Sequence, residues 1–264
     1  MSPGSQPPKY LRKNVPVFRT SVLIAPNQLR YICLHIENTI AAMEAKSINV
    51  IITGATGMVG EGVLHECIND PKIASITLIS RRSTGVVHPK VKEVLLTDLF
   101  AFTGDEPGLT NADACFYCLG GTSIGKSEEE YTRLTHDLTL TIATSLLKLN
   151  PGITFCYVSA KGTDNSEKGK TMWARVKGRT ENDLAKIGFR QFYAFRPFML
   201  TPTKGLKNTH GFYNYISWVF PLGRMVYPEG FCTLKELALA MIHVGYQGYG
   251  KKIITPPDMV KLAK

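Results

Sequence analysis

Three glycines spaced three apart, Gly54, Gly57 and Gly60, follow directly on the apolar run Val50-Ile-Ile-Thr53. They open a second segment, residues 58–69, whose apolar positions Met58, Val59, Val63, Leu64, Cys67 and Ile68 recur at helical spacing. A strand can pass into a helix through so short a turn only where side chains are missing. One glycine allows the bend, one lets backbone N–H groups approach an anion, and one lets the helix close on the sheet. The helix N-terminus adds the positive end of its dipole. A turn of this build is where the phosphates of a dinucleotide rest, and it commits the chain to an α/β fold.

The next elements strengthen that reading. After Pro71 an apolar run, Ile76-Thr-Leu-Ile79, completes a strand–helix–strand unit and ends at Ser80, Arg81 and Arg82. Roughly 20 residues beyond the last glycine, a fold that prefers NAD carries an acid for the ribose 2′-hydroxyl. Two guanidiniums cannot accept that hydrogen bond but suit a 2′-phosphate, so the expected cofactor is NADP(H). Further apolar runs at 91–97, 114–119, 153–159 and 191–196 alternate with helical patterns or short loops. The alternation predicts a doubly wound parallel sheet, a Rossmann fold in one domain. Ser127-x-x-Glu130 and Thr233-x-x-Glu236 read as capping boxes that start two of the helices.

Length allows one such core with a small covering segment. Of the formal charge of +10, part is local: residues 1–36 hold Lys9, Arg12, Lys13, Arg19 and Arg30 and no acid. Zinc-finger spacing and ribonucleoprotein aromatics are absent, so the charge favours anionic small molecules over nucleic acid. Six cysteines scattered through apolar runs fit buried thiols of a reducing, cytoplasmic setting. Cys115-x-x-Cys118 has redox spacing, but within a strand a separation of three points the side chains to opposite faces. The histidines do not stand at ligand spacing, and no metal is expected. No run reaches the ~18 apolar residues of a membrane span. The aromatic stretch 212–222 suits a substrate pocket, a dimer contact or peripheral contact with a bilayer. Residues 1–46, with Pro3, Pro7, Pro8, Pro16 and Pro26, read as a poorly ordered extension ahead of a domain at 47–264. Their basic composition leaves organelle targeting open as the alternative to a cytoplasmic location.

Taken together, Thr53-Gly-Ala-Thr-Gly-Met-Val-Gly60, Cys118-Leu-Gly-Gly-Thr122, Tyr157-Val-Ser-Ala-Lys-Gly162, Val176-Lys-Gly-Arg-Thr-Glu181 and Phe195-Arg-Pro197 resemble an atypical short-chain dehydrogenase/reductase over residues 48 to about 260. Within that superfamily the chain is similar to the epimerase/dehydratase-like proteins and their Tat-interacting-protein oxidoreductase branch. The resemblance implies that Gly54, Thr56, Gly57, Met58 and Val59, with Gly60, surround the pyrophosphate. It implies Arg81 and Arg82 at the 2′-phosphate, Asp98 near the adenine, Leu119 and Gly120 beneath the adenine-side ribose, and Pro197 beside the nicotinamide. Gly120 and Gly121 are expected where a side chain would collide with the cofactor.

Catalysis departs from the family pattern of Ser, Tyr and Lys. Ser159 and Lys177 match the carbonyl polariser and the ribose anchor, but the tyrosine position holds Trp173. An indole N–H donates and does not titrate near neutrality. Lys177 itself, Tyr131 or another tyrosine, or water remain as proton donors. Residues 198–232, with Lys204, Asn208, His210, Tyr213, Tyr215, Trp218 and Arg224, are expected to cover a small-molecule substrate. The expected activity is NADP(H)-dependent oxidoreduction of a carbonyl or hydroxyl compound. The alternatives are a non-catalytic NADPH sensor or scaffold, and a sugar-nucleotide epimerase or dehydratase. A homodimer is the ordinary assembly of such a fold.

Overall fold

A computed structural model of the chain describes residues 47–208 and 219–264. The extension 1–46 and His210, Tyr213, Tyr215 and Trp218 of the covering segment lie outside the described residues, as does Cys33.

Strand β1 (Ile48–Thr53) runs into the glycine turn and then α1 (Met58–Asn69), followed by β2 (Ile73–Ser80) and β3 (Val91–Leu95). After β4 (Ala114–Tyr117), a long helical stretch comprises α2 (Glu128–Thr132), a π turn (Arg133–Asp137) and α3 (Leu138–Leu149). Then come β5 (Thr154–Val158), α4 (Met172–Leu184), β6 (Gln191–Phe195) and β7 (Met199–Thr201). The chain closes with α5 (Val219–Val226), β8 (Phe231–Thr233), α6 (Leu234–Gln247), β9 (Ile253–Ile254) and α7 (Pro256–Leu262).

Seven parallel strands form one sheet in the order β3-β2-β1-β4-β5-β6-β9, and β7 and β8 pair separately. The order reverses between β1 and β4, so the crevice beyond their carboxyl ends is the topological switch point where ligands bind in open α/β sheets. Both faces are covered, as a parallel sheet requires. On one face Val50, Ile52 and Phe116 pack with Val63, Leu64, Leu237 and Met241 of α1 and α6. On the other, Ile51, Tyr117 and Phe155 pack with Leu138, Ile142 and Leu146 of α3 and Leu184 of α4. Each such side chain contributes about 1.5–3 kcal/mol by leaving water. Cys115 falls in the second cluster and Cys118 packs against the first, on opposite faces as the strand reading requires.

Both capping boxes form with both reciprocal bonds, at Ser127/Glu130 and Thr233/Glu236. The differences lie at edges. β2 begins at Ile73, three residues ahead of the apolar run, because Ile73 and Ser75 pair with Ile48 and Asn49 of β1 across a bulge at the exposed Ala74. The strands read as 91–97, 114–119, 153–159 and 191–196 each stop earlier, where their partners in the sheet end.

Candidate functional site

The glycine turn is built as its spacing demands. Gly54 has φ +73°, and a Cβ on it would stand 2.8 Å from the Cys118 and Leu119 backbone, so the end of β4 crosses directly over it. A Cβ on Gly60 would meet the Gly54 carbonyl oxygen at 2.2 Å, which fixes how closely α1 approaches β1. The N-cap of α1 is Gly57, with no side chain to accept from the first turn. The N–H groups of that turn are therefore left to an external acceptor at the positive end of the helix.

At the switch point a cavity of about 270 Å³ is lined by Arg81, Asp98, Leu119 and Gly120, four of the residues assigned by resemblance. Gly121, Thr122, Lys126 and Tyr131 complete much of its wall. A Cβ on Gly120 or Gly121 would meet nothing, so both glycines open onto free space. Arg81 is exposed and takes part in no ion pair among the described residues. Arg82 does not line the cavity; its carbonyl accepts from the Ser80 hydroxyl at 2.7 Å and shapes the turn that presents Arg81. The Asp98 carboxylate accepts from the Phe100 N–H at 2.9 Å, so one of its oxygens caps a short 3-10 turn. Sequence reasoning missed Lys126, a second cation of this wall. It also missed the π turn, whose extra residue sets Tyr131, Leu134, Thr135 and Leu138 along one side of the cavity. No apolar repeat signals such a slip.

The candidate catalytic residues gather beyond the ends of β5 and β6. Ser159 is buried, its N–H donates to the Phe195 carbonyl at 2.7 Å, and its hydroxyl lies 3.0 Å from that of Thr163. Thr163 in turn donates to the Ala160 carbonyl at 2.8 Å, leaving its oxygen to accept from Ser159. Thr163 is thus a partner of Ser159 that the sequence reading did not name. Pro197 is buried, and its carbonyl takes the Lys161 N–H at 2.8 Å.

Trp173 and Lys177 stand one helical turn apart on α4 and so share a face. A Cβ on Gly162 would lie 3.3 Å from the Trp173 ring, which places the indole against the turn that follows Ser159. The partly buried Lys177 extends toward the Tyr157 hydroxyl and the Val158 carbonyl, each at 3.5 Å. Burial lowers the Lys177 ammonium to about 8 against the opposing pull of Glu181. The buried Glu181 is itself held by the partly buried Arg196 guanidinium at 3.0 Å, a pair that ties α4 to the end of β6. Tyr157 is fully buried in the sheet and its phenol is pushed far up by desolvation, so it holds its proton. Tyr131 faces the switch-point cavity beside Leu119, away from the group formed by Ser159 and Thr163.

Comparison with known proteins agrees with this architecture. No family model matches the chain. Protein fmp52, mitochondrial, of Emericella nidulans is 28% identical over 159 residues, 58% of this chain and 66% of its own length. Protein HTATIP2 of Rattus norvegicus is 28% identical over 60% of this chain and 64% of its own. The matched part therefore spans about two thirds of these curated relatives. Among solved structures, a short chain dehydrogenase family protein from Francisella tularensis superposes with TM-score 0.54 at 14% identity, covering 76% of this chain and 92% of its own. The Bordetella bronchiseptica enzyme WbmH in complex with NAD+ gives 0.56 at 18% identity, over 78% and 74%.

Proposed function

We propose that this chain, similar to Fmp52 and HTATIP2, is an atypical short-chain dehydrogenase/reductase working as an NADP(H)-dependent oxidoreductase on a small carbonyl or hydroxyl compound. The observation that carries the reading is the uncapped glycine turn beside a cavity walled by an unpaired Arg81. Its free space at Gly120 and Gly121 and its uncapped amides fit a dinucleotide, and NAD+ in the WbmH complex makes the nicotinamide class the natural one.

In this reading Gly54, Thr56, Gly57, Met58, Val59 and Gly60 form the pyrophosphate turn, with the first-turn amides of α1 meeting phosphate oxygens. Arg81 and Lys126 supply positive charge on the adenine side, where a 2′-phosphate stands, and Arg82 supports that turn. Asp98, Leu119 and Gly120 shape the adenine and ribose wall. The bound nicotinamide supplies or accepts hydride. Ser159 donates to the substrate oxygen once its hydroxyl turns from Thr163, and Pro197 closes the nicotinamide side. Lys177 anchors the nicotinamide ribose. With its proton held at about 8, it is also the group suited to give up a proton near neutrality in place of the absent tyrosine.

Trp173 favours a second reading, a sensor that binds NADPH without rapid turnover, because the indole offers no titrating proton. Mixing the purified protein with NADPH and a panel of small aldehydes and ketones separates the two. NADPH oxidation that Ser159→Ala lowers by roughly 10²-fold supports the enzyme. Tight NADPH binding with no oxidation by any member supports the sensor.

The relatives named as mitochondrial proteins, with the basic and acid-free stretch 1–36, favour organelle targeting over the cytoplasm. Residues 1–46 fused to a fluorescent protein are expected to direct it to mitochondria; a diffuse cytoplasmic signal contradicts this.

A further inference from the structure

A second cavity, of about 390 Å³, opens beyond the carboxyl edge of β6 and β9, with Lys161, Gly162, Arg196, Glu229 and Ile253 in its wall. Lys161 follows Ser159 by two residues, and the backbone N–H groups of both donate across to β6 and its continuation, at 2.7 and 2.8 Å. Lys161 opens the turn that the Thr163 N–H closes on the Ala160 carbonyl at 3.3 Å, two residues past Ser159, so the two backbones lie at most about 7 Å apart. The Trp173 ring, packed against Gly162, borders the same turn.

The charges of this cavity are unequal. Arg196 is committed to Glu181 and Asn165. Lys161 has no carboxylate partner among the described residues; it donates to the Tyr227 hydroxyl and lies 4.4 Å from the Tyr227 ring centroid and 5.9 Å from that of Phe198. With Glu229 in the same wall, one available positive charge suits a monoanion and opposes a dianion such as a phosphate ester. The apolar surface around Lys161 is open to solvent: Phe198 and Tyr227, which flank its ammonium, are 56% and 42% exposed, and Ile253 of the wall is 41% exposed. Such a surface suits an apolar or aromatic body.

We propose that this cavity is the substrate's anchoring subsite and that Lys161 binds its carboxylate, making the substrate class an apolar or aromatic oxo- or hydroxy-acid. The assignment rests on the reading of Ser159 as the residue that meets the reacting oxygen. The spacing from Ser159 to Lys161 then separates carbonyl from carboxylate by about the length of one ring.

The test uses the full chain saturated with NADPH, which cannot turn over an alcohol. It is titrated calorimetrically with 4-(hydroxymethyl)benzoate and with its neutral methyl ester. The acid is expected to bind roughly tenfold tighter than the ester. Lys161→Met removes that preference and Lys161→Arg keeps most of it. Equal binding of acid and ester, an unchanged preference in Lys161→Met, or binding of neither compound overturns the subsite. NADPH titrated into the same protein before it is saturated separates the two failures: retained NADPH binding without an acid preference overturns the subsite alone, and absent NADPH binding overturns the reading beneath it.

Discussion

Lys177 carries the largest consequence held by a single side chain at the site. Its ammonium titrates near 8 when folded and at the ordinary 10.5 when unfolded, because burial disfavours the charge. Between those values the unfolded chain binds more protons, so this residue's contribution to stability rises with pH across that window. Below about 8 both states are charged and the folded state bears the full desolvation cost. Lys177→Met is therefore expected to raise Tm by a few degrees at pH 7, about 2 °C per kcal/mol at this size, with the gain fading toward pH 10. Scanning calorimetry at the two pH values checks it; a gain that grows with pH contradicts the assignment. Trp173→Tyr places a phenol one turn before Lys177, and it is expected to raise NADPH-linked carbonyl reduction by roughly 10²-fold. A fall in an existing activity would instead make the indole a positioning element. Thr163→Val leaves the buried Ser159 hydroxyl without its acceptor and should cost about 1 kcal/mol of stability.

Among elements, α4 is fixed to the Ser159 turn by one glycine. A Cβ on Gly178 would lie 1.8 Å from the Asp164 carbonyl oxygen, and the loop above it is held by the Asp164 carboxylate, which accepts from Ser166 and Gly169. Gly178→Ala must lift that loop and is expected to destabilise by about 3 kcal/mol in denaturant titration. Gly120→Ala meets open space, so it should leave stability unchanged while weakening NADPH binding; a loss of stability there would mean that the cavity wall is tighter than its geometry shows. The same contrast explains what the sequence could reveal. The glycine turn, the apolar strands and both capping boxes are local chemistry, and each declares itself within a few residues. β9 is a two-residue pairing with β6, too short for any period to register. The π turn at Arg133–Asp137 shifts the helix face by one residue with no change in apolar spacing to announce it. At the site, Ser159, Trp173 and Lys177 were legible because their spacing matches a known order. Lys161, two residues past Ser159, was legible as a candidate second cation or a solvated lysine; Thr163, Lys126 and the cavity around Lys161 were not, since each depends on where a loop or a distant strand end brings a side chain.

For the whole molecule, the sheet order sets the division of labour. The reversal between β1 and β4 creates the crevice proposed to hold the dinucleotide, and the β5–β6–β9 side carries Ser159, Lys177 and the second cavity. The formal charge of +10 raises the local concentration of anionic ligands without specifying any. In the proposed function the glycine turn and Arg81 select a 2′-phosphorylated nicotinamide dinucleotide. Calorimetric titration of the full chain with NADPH, NADP+ and NADH, repeated on Arg81→Ala, tests that selection. NADPH and NADP+ are expected to bind at least roughly tenfold tighter than NADH, with that margin lost in Arg81→Ala. Equal affinity for NADH and NADPH, or binding of none of the three, would contradict it.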